Sequence, residues 1–315
     1  MFSVNKLKNN IKRKYKPYHK RKFSFSLFDN MIYFLLDHFL LIKYLYLIMS
    51  DVNKIKELKK TSFLRNTMKH TNAFVFANGP SLKKLDFFKV KKYQEEGFKI
   101  FCVNSFIGDG TGLIFVPDYY VLSDPAFFGF FNELYEILDK EADKRIKEIK
   151  NNINALKNNK DIKLFVPIQY HRKLDMDNEI FYFNDIEYRW FNKNVSNIIY
   201  PRAYLSMTAY KALAIACFMG FKKIYICGFD NDYFKNITVD IENNLYYTNM
   251  HFKEQGDSKI RKVTHSEASN IAELLLGFSL LFEDLYEFPK DRIINLDKES
   301  LVDAFIKKHD LDVYK

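Results

Sequence analysis

Three short apolar runs, each closed by small polar residues, constrain this chain more than any other feature. Residues 73–77 run into Asn78-Gly79-Pro80-Ser81-Leu82, residues 99–103 into Asn104-Ser105, and residues 118–122 into Ser123-Asp124-Pro125. Runs of this length and composition read as buried strands, and an open parallel sheet binds ligands in the crevice beyond the carboxyl ends of its strands. Gly79 permits close backbone approach, Pro80 stiffens the loop, and Asn78 and Ser81 offer hydrogen bonds without bulk. The same residue types dominate ordinary strand-ending turns, so the tetrad alone leaves both readings open.

Further along, Ser206-Met207-Thr208 opens an apolar helix over 209–219, Gly220 stops it, and a strand over 223–227 ends at Gly228-Phe229-Asp230. Helices are also predicted over 85–96, over 127–157 and over 267–283. Residues 162–166 and 293–296 read as strands, 301–308 as a final helix, and 170–195 as irregular. Residues 231–264 lack periodicity and read as a lid. The expected architecture is α/β: a single Rossmann-like domain over 71–315, with a mostly parallel twisted sheet and helices on both faces. A basic and apolar helical arm over 1–70 precedes it.

Charge matters chiefly in that arm. The chain of 315 residues carries a formal net charge of +10, and residues 1–22 hold nine Lys or Arg with no Asp or Glu. The excess therefore describes a segment and not a nucleic-acid-binding face, and no nucleic-acid partner is expected. The apolar stretch that follows, through residue 48, is interrupted by Asp37, His38 and Lys43. It reads either as a helix on a membrane surface, with basic residues meeting anionic headgroups, or as a helix packed on the core. No small-residue cleavage site follows, which argues against a signal peptide. The membrane reading places the protein in the cytoplasm, peripheral on the inner face of the cell membrane. Cys102, Cys217 and Cys227 lie inside apolar segments and read as buried free thiols.

Two constellations carry chemistry. Asp230-Asn231-Asp232 follows a strand directly, and such carboxylates either hold a divalent metal against a diphosphate or order the loop and bind a ribose; no metal site is expected. His265, just before a helix, meets the positive end of the helix dipole, which favours a neutral base; a purely structural histidine is the competing reading. Walker-type phosphate loops, G-x-G-x-x-G, H-E-x-x-H and G-x-S-x-G motifs do not occur.

Taken in order, these motifs resemble the bacterial sialyltransferases of glycosyltransferase family 42 and the related motility-accessory and pterin-pyrophosphokinase-like proteins. The resemblance spans roughly residues 73–305. It implies that Asn78, Gly79, Pro80 and Ser81 form a donor-binding loop, that Asn104, Asp124, Thr208, Gly228 and Asp230 contact the nucleotide-sugar, and that His265 is the base, followed by Ser266. Tyr233 with Tyr246 or Tyr247, Tyr247 being preferred, would bind the leaving phosphate. The sequence departs from the pattern twice. Asp124 stands where the family has Asn, and Leu205 stands where it has Arg, with Arg202 nearby.

The resemblance implies inverting, metal-independent transfer from a CMP-activated acidic sugar to a hydroxyl of a cell-surface glycan or lipooligosaccharide. It needs no cofactor beyond the nucleotide-sugar donor, and its partners are the donor, a glycan or lipid-linked glycan acceptor and the membrane surface. A homo-oligomer is possible. The alternatives are a magnesium-dependent pyrophosphokinase-like transferase and a non-catalytic nucleotide-binding protein at the membrane.

Overall fold

The computed structural model describes residues 27–108, 114–129, 139–186, 194–202, 205, 207–249, 259–263 and 268–308. The basic segment 1–22 and the pair His265 and Ser266 lie outside the described residues.

Two helices come first, α1 (Leu27–Met49) and α2 (Val52–Ser62). Then follow β1 (Ala73–Phe76), a 3-10 turn (Pro80–Lys84), α3 (Phe87–Glu95), β2 (Lys99–Val103), β3 (Tyr119–Val121) and a second 3-10 turn (Pro125–Phe128). Next are α4 (Asp139–Lys157), β4 (Lys163–Pro167), β5 (Ile180–Phe183), α5 (Thr208–Met219) and β6 (Ile224–Cys227). The chain continues through β7 (Thr238–Val239), β8 (Leu245–Asn249), β9 (Lys259–Lys262), α6 (Ile271–Leu285), β10 (Ile293–Asn295) and β11 (Ile306–Lys307).

Eight strands form one sheet in the order β11-β10-β6-β1-β2-β3-β4-β5, and every pairing in it is parallel. The chain fills the sheet outward from β1 to β5, crosses back, and continues on the other side of β1 with β6, β10 and β11. Strand order therefore reverses between β1 and β6, where an open parallel sheet has its ligand crevice. A separate antiparallel sheet, β7-β8-β9, grows out of the loop after β6.

Strand alternation distributes the aromatic residues over two faces. Phe74 and Phe76 point to one face, where they meet Tyr93, Phe98, Phe87 and Phe106 in and around α3. Phe101 and Tyr119, in register with one another, meet the ring of Phe221 just past α5 on the other. Helices thus flank both sides of the sheet. Helix α5 is apolar all round and is buried from Ala209 to Met219. It ends at Gly220, whose φ of +82° is strained for any side chain, and an added Cβ would sit 2.8 Å from the Asn66 backbone.

Several sequence expectations are corrected. Residues 301–308 were expected to form a helix, but Ile306–Lys307 pairs with β10 as an edge strand. The stretch read as irregular contains β5, because a sheet neighbour satisfies backbone groups in a run too short for a clear period. The lid segment carries β7 to β9. Within the expected arm, Tyr44, Ile48 and Leu58 belong to the same buried cluster as β1, as the packed-helix reading has it. Asp51 caps α2 by accepting from Asn53 N at 3.0 Å, and its other oxygen meets His171 Nδ1 at 3.2 Å. Among the described residues, no helix is long and apolar enough to cross a membrane.

Candidate active site at the crossing of β1 and β6

The loops leaving β1 and β6 touch because neither carries a side chain where they meet. Ala77 N donates to Cys227 O at 3.0 Å and Gly79 N donates to Gly228 O at 3.0 Å. A Cβ on Gly79 would lie 1.8 Å from Asp230 Oδ2 and 2.4 Å from Gly228 O, so position 79 has no room for one. Gly228 has φ of +77°, and a Cβ there would lie 2.6 Å from Ala77 O.

Ser81 ties the two loops together. Its hydroxyl donates to Asp230 Oδ2 at 2.9 Å and accepts from Gly228 N at 3.1 Å, while its own N–H reaches Asp230 Oδ1 at 3.2 Å. Burial raises the Asp230 carboxyl to about 6, and the nearby charges of Asp232 and Asp297 push the same way against the Ser81 hydrogen bonds. Behind this junction, burial pushes the Cys227 thiol up to about 12, and all three cysteines are buried and form no disulfide.

A second network joins β2, β3 and α5. Asn104 takes a left-handed backbone, φ 43°, which Asn tolerates better than most residues. Its Nδ2 donates to Thr208 Oγ1 at 2.8 Å, and its Oδ1 accepts from Ser123 N at 3.2 Å. The Ser123 and Thr208 hydroxyls are 2.7 Å apart. Met207 precedes α5 without a side-chain cap, and Met207, Thr208 and Ala209 all line a cleft of about 170 Å³ at the crossing of β1 and β6. First-turn amides left without a cap give that wall the partial positive charge of a helix start.

The floor and far wall come from the loop after β6. Asn231 donates from Nδ2 to the buried Tyr210 hydroxyl at 2.6 Å, so the left-handed turn at Asn231 (φ 51°) is pinned from below. Tyr233 lines the cleft and stacks on Phe278 of α6, with its ring edge against Tyr247. Burial pushes its hydroxyl up to about 12. The neighbouring Tyr246 instead donates to Asp240 Oδ2 at 2.9 Å, so Tyr247 is the one that packs with Tyr233. Among the described residues, no three His, Cys, Asp or Glu side chains group to hold a metal ion.

A family model described as 6-hydroxymethylpterin diphosphokinase MptE-like matches residues 48–236. The chain belongs to the MptE-like family. The matched span runs from the end of α1 through the loop after β6, and it contains every residue that lines the cleft. Of the groups that the ordered motifs resemble, it is the pterin-pyrophosphokinase-like one. Among solved structures, the chain is similar to the MAf glycosyltransferase from Magnetospirillum magneticum AMB-1, at 12% identity and a TM-score of 0.43 over 80% of this chain. It spans 37% of that protein's length. No curated protein matches the sequence.

In this MptE-like chain the cleft gathers Asn78, Gly79, Pro80, Asn104, Thr208, Gly228, Asp230 and Tyr233 from the residues singled out in the sequence. Ser81 stands behind Asp230, and Tyr247 packs with Tyr233 in a separate small aromatic cluster. Asp124 is not on the cleft wall. It accepts from Ala126 N at 3.0 Å as the cap of a 3-10 turn and pairs with Arg145 Nη2 at 2.7 Å. Arg202, buried at 2% exposure, lies 3.7 Å from Asp185, which also receives Lys211 Nζ at 2.6 Å. Sequence reasoning missed Ser123 and Arg145 as partners of the site residues. Ser123 could have been found, because it closes a strand as Asn104 does; Arg145 lies in a heavily charged helix with nothing to single it out.

Proposed function

We propose that this protein is a transferase that seats a nucleotide in the cleft between the β1 and β6 loops and passes the group it carries to a hydroxyl acceptor. The observation that carries this reading is the uncapped start of α5 within the cleft, flanked by the hydrogen-bonded trio Asn104, Ser123 and Thr208. Helix N-termini of this kind stabilise phosphate through free amides and the helix dipole.

The favoured chemistry is inverting glycosyl transfer from a nucleotide-activated sugar, foremost a CMP-linked acidic sugar, to a cell-surface glycan or lipooligosaccharide. His265 takes the proton from the acceptor hydroxyl as its oxygen bonds to the anomeric carbon. The bond from that carbon to the phosphate oxygen breaks, and its electron pair leaves with the nucleotide, towards which Tyr233 donates from the cleft wall with Tyr247 packed against its ring. Asp230 suits a route without metal, since Ser81 engages both its oxygens and burial raises its pKa to about 6. The pairing of Asp124 with Arg145 offsets the repulsion that an unpaired carboxylate would exert on an acidic sugar.

The family's own description favours a second reading, transfer of a diphosphoryl group with Mg²⁺, in which Asp232 on the cleft wall would supply a carboxylate. One experiment separates the two. Purified protein is screened by thermal shift against CMP-, UDP-, GDP- and CDP-sugars and against ATP with 6-hydroxymethylpterin, and product is then followed with and without chelator. CMP release that survives chelation and is lost in His265→Ala supports glycosyl transfer. Turnover that requires Mg²⁺ and spares His265→Ala supports the second reading, and tight binding without turnover on any pair would sink both.

A further inference from the structure

Helix α1 is two-faced in a way its composition hides. Tyr44 and Ile48 are each 9% exposed and belong to the domain core, whereas Leu35, Phe39, Ile42, Tyr46 and Met49 are between 59% and 77% exposed. The exposed five alternate in steps of four and three, so they line one face of the helix. They form an apolar stripe of roughly 20 Å. Contiguous exposed apolar surface of this kind marks an interaction site.

The next helix exposes a face of different composition. Along α2, Val52, Ile55, Lys56, Lys59 and Phe63 are exposed at helical spacing, so lysines interleave with apolar residues. Exposed Lys43 flanks the stripe on α1, and the nine Lys or Arg of residues 1–22 precede it in the chain.

We propose that the joint face of α1 and α2 docks on an anionic phospholipid surface, with the α1 stripe lying in the interface plane and the lysines at headgroup level. Charge selects this occupant over a second copy of the chain. A second copy of the chain would add its own exposed Lys43, Lys56 and Lys59 to the same contact, like charge against like. An anionic bilayer neutralises all of them. In this arrangement the helix lies on the surface; among the described residues no helix is long and apolar enough to cross a membrane. Docking through α1 and α2 is independent of the reaction in the cleft.

The test uses the full chain in vesicle co-sedimentation and in size-exclusion chromatography with light scattering. Binding to phosphatidylcholine vesicles that contain about one third phosphatidylserine is expected to exceed binding to pure phosphatidylcholine by on the order of 100-fold, and to fall as salt is raised. Phe39→Glu with Ile42→Glu is expected to abolish it while the melting temperature holds. Should that pair fail to fold, Lys56→Glu with Lys59→Glu, on exposed side chains, is expected to lower the anionic preference about tenfold. Binding that ignores lipid charge, or survives both pairs of substitutions, overturns the proposal. So does a dimer that dissociates in Phe39→Glu with Ile42→Glu, which would make the stripe a self-interface.

Discussion

Ser81 Oγ lies 2.9 Å from Asp230 Oδ2 although the two residues are 149 positions apart, and that contact holds the β1 loop against the β6 loop. The same hydroxyl accepts from Gly228 N, so one small side chain serves both as donor to a partly buried carboxylate and as acceptor for a buried amide. Ser81→Ala leaves both partners wanting. A loss of about 2 kcal/mol in urea unfolding is expected, in the range for orphaned buried polar groups. An unchanged midpoint would show that the junction does not need the hydroxyl.

Asp230 should write a pH signature into stability. Its folded pKa, raised from 3.8 to about 6, means that the folded state holds the proton more tightly than the unfolded chain does. Its contribution is fully present below the unfolded pKa and is lost as pH rises through the folded one, a swing of about 3 kcal/mol. Asp230→Asn is expected to flatten the profile between about pH 4 and 6 relative to the parent and to melt higher near neutral pH. Parallel profiles for the two proteins would contradict the raised pKa.

Gly79→Ala tests the close approach of the two loops. The backbone at this position is ordinary, with φ of −70°, so the substitution acts through space and not through conformation. Its methyl would fall 2.4 Å from Gly228 O, a backbone atom that moves only if the β6 loop moves. Nucleotide-induced stabilisation in thermal shift is expected to disappear while the unliganded protein still folds. Retention of the full shift would place the ligand elsewhere.

Thr208→Val keeps the side-chain shape and removes the hydroxyl shared by Asn104 and Ser123. With those partners free to rotate at the start of α5, nucleotide affinity is expected to fall about tenfold, a cost of roughly 1.4 kcal/mol. Calorimetric titration measures it directly. An unaltered Kd would remove the trio from the binding wall.

Much of the cleft is legible in the chain because it is built from strand ends. Asn78, Asn104 and Asp230 each follow an apolar run, and a parallel sheet brings such ends to one edge whatever the intervening segments do. Thr208 is readable for the related reason that it opens the apolar helix leading into β6. Residues whose role depends on long-range placement are not readable in this way. Arg145 reaches Asp124 from a charged helix, and Asp185 meets Lys211 across 26 positions without any local pattern to announce it. Asp124 itself looked like a cleft residue from its place after β3, but its carboxylate turns back to cap its own turn.

By itself, the sequence determined the α/β class, the sites of β1, β2, β3 and β6, and the small polar residues at their ends, because hydrophobic runs and turn chemistry are local. Only the tertiary structure decided that β6 returns beside β1, since strand order depends on contacts between distant segments. That pairing fixes where Ser81 meets Asp230 and where α5 opens onto the cleft. It also decided the two faces of α1: the chain shows a mainly apolar stretch broken by Asp37, His38 and Lys43, and packing of Tyr44 and Ile48 into the core leaves Phe39, Ile42 and Tyr46 outside.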